Sequence, residues 1–166
     1  RARDPLFTAG AVRITPEGHL SFAYKAAAEI GELGDNTRVL RAAIRHDALL
    51  ARTLLADTAE VTVLGHTRWA SIGIISQPNA HPMNSDEQGT APGPYCTAAL
   101  NGDVDNFADL KVSDGLRIAA EITSDAKVIP TLVSRRLVAG DQPVEAFRQT
   151  VRRFDGSVAI AANASA

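Results

Sequence analysis

The spacing of apolar residues changes period along this chain, and that change limits the folds open to it. Ala11-Val12-Arg13-Ile14-Thr15 and Leu20-Ser21-Phe22-Ala23-Tyr24 alternate apolar and polar residues around Pro16-Glu17-Gly18, which predicts a β-hairpin. Gly31, Gly34, Asp35 and Asn36 mark a loop, with Asn36 or Thr37 as the expected helix N-cap. Apolar residues then recur at helical spacing through Val39, Leu40, Ala43, Ile44, Leu49, Leu50, Leu54 and Leu55, predicting one amphipathic helix to about Ala56. Val61 to Leu64 has the pattern of a short strand. Cys96 to Leu100 is expected to be a buried strand ending at Asn101-Gly102. A helical turn over Phe107 to Lys111 and helices from about Asp125 and Pro143 follow, the first of them kinked by Pro130. Gly156 to Ala161 is the last predicted strand. Strands, helices and a returning strand point to an α+β arrangement of mixed layers.

Length and charge narrow the classes of function. The chain has 166 residues, enough for one domain with a sizeable core. A formal charge of −2 and the absence of a basic aromatic face argue against nucleic acid and anionic membrane as partners. No apolar run approaches the roughly 20 residues of a membrane span. The opening residues are polar, so no signal peptide is expected, and because the first residue is Arg1 rather than Met the natural start is expected upstream. A single cysteine, Cys96, excludes an internal disulfide and suits a cytoplasmic protein. It lies in an apolar strand and is expected to be an inert core thiol. Four scattered His with one Cys give no zinc-type spacing, so no metal or other cofactor is expected.

Three segments interrupt apolar sequence with polar groups: His66-Thr67-Arg68-Trp69-Ala70-Ser71, Asn101-Gly102 and Ser124-Asp125. Each has an ordinary explanation: an ion-pair partner for Arg68, a type I′ turn for Asn-Gly, a helix cap for Ser-Asp. Together they suit an amino acid. A guanidinium offers a planar fork to an α-carboxylate, and a carboxylate such as Asp125 suits an α-ammonium. The Asn101 side-chain amide and the Gly102 backbone N–H are two donors of the kind a tetrahedral intermediate at a carboxamide requires. Residues 76 to 94 hold four Pro and two Gly, and a loop of that length in a compact domain is often functional.

The order of G-H-T-R-W-A-S-I-G (65–73), N-A-H-P (79–82), L-N-G-D-V-D-N (100–106) and S-D-A-K-V-I (124–129) resembles class II glutamine amidotransferase domains, most of all the glutaminase domain of glucosamine-6-phosphate synthases. F-D-G-S-V-A-I (154–160) is similar to that family's late strand. The resemblance runs from about Tyr24 to the C-terminus. It implies an N-terminal-nucleophile hydrolase fold: a four-layer αββα arrangement with two antiparallel sheets, here truncated at both ends. It also implies one amidotransferase domain over 1–166, hydrolysis of L-glutamine, and transfer of ammonia to a synthase domain of the parent chain. Carried over by position, Arg68 holds the glutamine carboxylate, Asp125 its amino group, and Asn101 and Gly102 form the oxyanion hole. Trp69 matches a position that closes the ammonia route, and His81 a loop position near the glutamine. His66 leads its motif and is expected to be structural.

Some positions depart from that pattern. Ile72 and Leu100 stand where the sugar-phosphate enzymes commonly have His, and Ala126 where they have Thr, which puts the acceptor in question more than the glutamine site. The family's opening Cys-Gly-Ile-like strand has no counterpart in these residues, so the chain as given is expected to be inactive while an intact parent is an enzyme. The alternative is a catalytically inactive amidotransferase-like module that binds glutamine or a partner domain. An unrelated mixed α/β domain would require all four motif matches to be coincidence. Homo-oligomer formation is left open. Arg68, Asn101, Gly102 and Asp125 are expected to line one pocket at the ends of neighbouring strands.

Overall fold

A computed structural model describes residues 8–27, 34–67 and 75–165, with backbone alone for the first four. The expected hairpin is present. β1 (Thr8–Ile14) pairs antiparallel with β2 (Leu20–Lys25), Val12 opposite Phe22 and Ile14 opposite Leu20. The turn closes through Thr15 N–H to His19 O at 2.8 Å and Gly18 N–H to Thr15 O at 2.9 Å. Gly18 has φ 87°, where a side chain would be strained.

The single helix expected over 39–56 is two. α1 (Asp35–His46) and α2 (Ala48–Leu54) break at Asp47, whose backbone is extended. Asp47 Oδ1 accepts from the amides of Leu49 and Leu50, both at 2.9 Å, and so caps α2. Its other oxygen accepts from Tyr24 Oη at 2.7 Å, tying the break to β2. Apolar periodicity runs straight through such a cap. The N-cap of α1 is Gly34 in the left-handed region, not Asn36 or Thr37. Val61 to Leu64 forms no strand, and Val61 and Val63 are exposed.

The second sheet has the order β3-β4-β5, all antiparallel, with β3 (Met83–Asn84), β4 (Cys96–Val104) and β5 (Gly156–Ala164). β4 does not end at Asn101-Gly102. It pairs with β5 as far as Val104 opposite Gly156, so those two residues lie within a strand. Ala98, Leu100 and Val104 enter the main core with Met83, Leu110 and Leu116 and with Ala126, Val128, Ile129 and Leu132 of the helical segment. α3 (Phe107–Ser113), α4 (Val128–Val138) and α5 (Pro143–Val151) follow β4 in the chain. A 3-10 turn over Asp125–Lys127 leads directly into α4, so the change of helical type falls just ahead of Pro130, where a kink was expected. With two antiparallel sheets and five α-helices among the described residues, the fold is mixed and consistent with α+β.

The long loop is fastened by charge. Glu87, whose side chain is 7% exposed, accepts from Arg135 Nε and Nη2, both at 2.7 Å, and from the Arg117 amide at 2.8 Å. Arg135 also donates to the carbonyls of Asp114 at 2.5 Å and Gly115 at 3.2 Å. Burial alone would raise the Glu87 carboxyl, but the Arg135 and Arg117 hydrogen bonds hold it below its ordinary 4.5. A carboxyl depressed on folding stabilises the protein above its unfolded value, and that stability is lost as pH falls through the folded one. Thermal unfolding is therefore expected to drop as pH is lowered from about 5 to about 3. Glu87→Gln should flatten that dependence and cost about 1–3 kcal/mol at neutral pH. Melting curves of both proteins across the range check this, and an equally steep acid loss in the variant would contradict it.

Candidate functional site

β3 is short, so β4 leaves backbone donors on that side that no strand takes. Ser85 N–H still bonds Cys96 O at 2.9 Å. Met83 faces Ala98, and the same register carried two residues further sets His81 against Leu100. The Leu100 amide donates to His81 Nδ1 at 3.2 Å. That nitrogen is then an acceptor, which leaves the ring proton on Nε2 in the neutral tautomer. Further along, the Val104 amide donates to Asp125 Oδ2 at 2.8 Å. Asp125 is half-buried, and among the described residues no hydrogen bond to its other oxygen is present. The two expected site residues His81 and Asp125 thus flank Asn101 and Gly102 on one edge of β4.

Asn101 is exposed and faces away from the core that Leu100 enters. Gly102 has φ 124°, and a Cβ there would lie 1.9 Å from the Ser157 carbonyl oxygen. No other residue fits, because β5 comes as close as a missing side chain permits. The isolated reading of Asn-Gly as a turn is therefore incorrect: the pair lies within the β4–β5 ladder. Arg68 and Trp69 lie outside the described residues. His66, two positions before Arg68, stacks on His81 with ring centroids 4.6 Å apart, so the first motif does reach the second.

Two residues hold this region together without having been singled out by their sequence. Asn79 is 4% exposed and bonds the residues just before Asp125. Lys127 is 2% exposed, and its Nζ donates to Asn84 O at 2.6 Å, Asn84 Oδ1 at 3.1 Å and Asp86 O at 2.6 Å. Burial pushes its amine down to about 8, while the nearby Asp86 and Glu87 favour the charged form. The sign of its importance was its isolation: from Ala126 to Ser134 it is the one charge in a mostly apolar run. Asn79 opens the N-A-H-P segment, but its residue chemistry alone suggested no role, since a loop Asn beside Pro78 has the composition of any turn.

A cleft of about 380 Å³ lies elsewhere, lined by Arg13, Asp86, Glu87, Ser134 and Arg135 among others. Its charges are already paired, Arg13 with Asp86 and Arg135 with Glu87. It is a seam between the hairpin and the helical segment, and none of the expected site residues borders it. Among the described residues no group of three His, Cys, Asp or Glu is arranged to hold a metal, and no helix is long and apolar enough to cross a membrane.

Similarity to known proteins bears on this site. The chain is 38% identical over 116 residues to a glutamine–fructose-6-phosphate aminotransferase (isomerizing) of Mesorhizobium japonicum, covering 68% of this chain and 18% of that protein. It is 34% identical over 141 residues to the enzyme of the same name from Caulobacter vibrioides, covering 83% and 22%. For that of Geobacillus kaustophilus the figures are 36% over 111 residues, 66% and 18%. The chain is related to these aminotransferases. It spans about a fifth of the length of the relatives it matches. No protein-family model matches the sequence.

Cys96 is buried, as expected. It is 1% exposed and packs with Val133 and Ala146, and burial, with a smaller push from Glu17, raises its thiol to about 12. At pH 8 the native protein should react with iodoacetamide at least about a hundredfold more slowly than a free cysteine. Mass spectrometry of timed samples measures this, and prompt stoichiometric labelling would show the thiol to be accessible.

Proposed function

We propose that this chain carries the glutamine-recognition part of a class II glutamine amidotransferase domain with the N-terminal-nucleophile hydrolase fold. In this reading the parent protein hydrolyses L-glutamine to glutamate and passes the ammonia to an acceptor domain. Arg68 binds the α-carboxylate and Asp125 the α-ammonium. Asn101 and Gly102 donate to the oxyanion. His81 borders the glutamine, and Trp69 closes the ammonia route.

The observation that carries the reading is the edge of β4. The Leu100 amide goes to His81 and the Val104 amide to Asp125, on the side away from β5. Alternation along an antiparallel strand turns the Gly102 N–H, midway between them, toward that same edge. A donor so held needs no reorganisation when charge develops on a carbonyl oxygen. Asp125 keeps one oxygen for an ammonium while the other is fixed by Val104. Similarity to aminotransferases whose names specify glutamine supports the choice of ligand.

The nucleophile is not Cys96, given its burial and raised thiol. The second reading is a module that binds glutamine or a partner domain without cleaving it. The 166-residue chain is accordingly expected to bind L-glutamine and to release no glutamate. Arg68→Ala should weaken binding by about 1.5–3 kcal/mol, the worth of a hydrogen bond to a charged partner. In a parent that carries a terminal cysteine, Asn101→Ala should slow turnover by about 10²–10³. Isothermal titration and a coupled glutamate assay measure these effects. Failure of the unaltered chain to bind L-glutamine at millimolar concentration would sink the reading. Equal loss of turnover in both variants, with affinity unchanged, would sink the division of roles.

A further inference from the structure

Asn79 opens the N-A-H-P segment, and its side-chain amide serves two stretches of chain at once. Nδ2 donates to Ser76 Oγ at 2.9 Å and to the Glu121 carbonyl at 3.3 Å. Oδ1 accepts from the Thr123 amide at 2.8 Å, the Ser124 amide at 3.0 Å and Thr123 Oγ1 at 3.4 Å. One buried group therefore joins the stretch leading to His81 to the stretch leading to Asp125. Both then dock on β4 four residues apart, at Leu100 and Val104, a separation of about 13 Å along a strand.

The chemistry of an amide suits this place. Thr123 and Ser124 present two donors to one oxygen, while Ser76 and Glu121 present acceptors to the adjacent nitrogen. Few side chains satisfy both sets. Truncation would leave the amides of exposed Thr123 and half-buried Ser124 without their acceptor, and such groups move to find water. The residue directly after Ser124 is Asp125, so that movement reaches the carboxylate.

We propose that Asn79 is a positioning residue that fixes the Asp125 carboxylate relative to His81, and that through Asp125 it sets the preference of the site for ligands bearing an α-ammonium. The second half of this proposal rests on the glutamine reading above. Asn79 itself touches no ligand.

Two measurements on the 166-residue chain test it. The first is amide hydrogen exchange. In Asn79→Ala the amides of Thr123, Ser124 and Val104 should exchange at least about tenfold faster, while those of α5 and of β5 near Ile160 keep their rates. Uniform acceleration, or an unchanged Val104, overturns the positioning role. Should Asn79→Ala fail to fold, Asn79→Asp decides in its place. It retains the acceptor, so Thr123, Ser124 and Val104 should stay protected while the contact to the Glu121 carbonyl is lost, and exposure of those three amides overturns the proposal. The second measurement compares L-glutamine with glutaramate, the same molecule without its amino group. The unaltered chain should favour L-glutamine. Asn79→Ala should cut that preference at least about fivefold with glutaramate affinity unchanged, whereas equal loss for both ligands marks a merely structural residue. If the unaltered chain binds neither ligand, the glutamine reading falls and the exchange result alone decides the positioning role.

Discussion

A nine-residue strand flanked on one side by a two-residue strand has amides that must be satisfied some other way. That requirement organises the region around β4. His81 and Asp125 take the Leu100 and Val104 donors, and in doing so they bring a loop and a helix start to the same edge. Side chains here do the work of a missing neighbour strand. Unlike a strand, they bring an imidazole and a carboxylate with them, so satisfying the backbone also builds a polar site.

The loop of residues 75–94 is long, yet its fastening is specific. Asn79 secures one end, Lys127 reaches Asn84 and Asp86 in the middle, and Glu87 meets Arg135 beyond. Lys127 and Arg135 belong to the 3-10 turn and α4, segments that also supply the core behind β4. A buried lysine held by carbonyl oxygens and a carboxylate shielded with its arginine both carry desolvation costs that only full hydrogen bonding offsets. Such contacts add little net stability compared with apolar packing, but they admit few alternative loop conformations.

Local pattern made much of this architecture legible. The hairpin, the last strand and the helices near Asp125 and Pro143 follow from alternation, turn residues and helical spacing, which are properties of neighbouring residues. What periodicity missed depended on distant partners or on a single capping group. Asp47 divided one apolar run into two helices, and Val61 to Leu64 found no strand to pair with. Asn101-Gly102 has the composition of a turn but sits within a ladder, because β5 approaches so closely at Ser157. For the site, residue chemistry suggested Arg68, Asn101, Gly102 and Asp125, the family resemblance added His81, and contacts joined His81 and Asp125 through β4. Asn79 stood in a quoted motif, but its role as a helper was not legible because that role lies in what it touches.

Gly102 has one further consequence. Its hydrogen in place of a side chain is demanded by Ser157, while the proposed function asks its N–H to serve as a donor between His81 and Asp125. Packing and chemistry are thus fused in one residue, and no exchange of side chain can vary either alone. Only an alteration of the main chain, such as an ester in place of the Gly102 amide, would remove the donor and leave the close approach of β5 intact. The residue is open to change by synthesis, but closed to ordinary mutation, whether in the laboratory or in evolution.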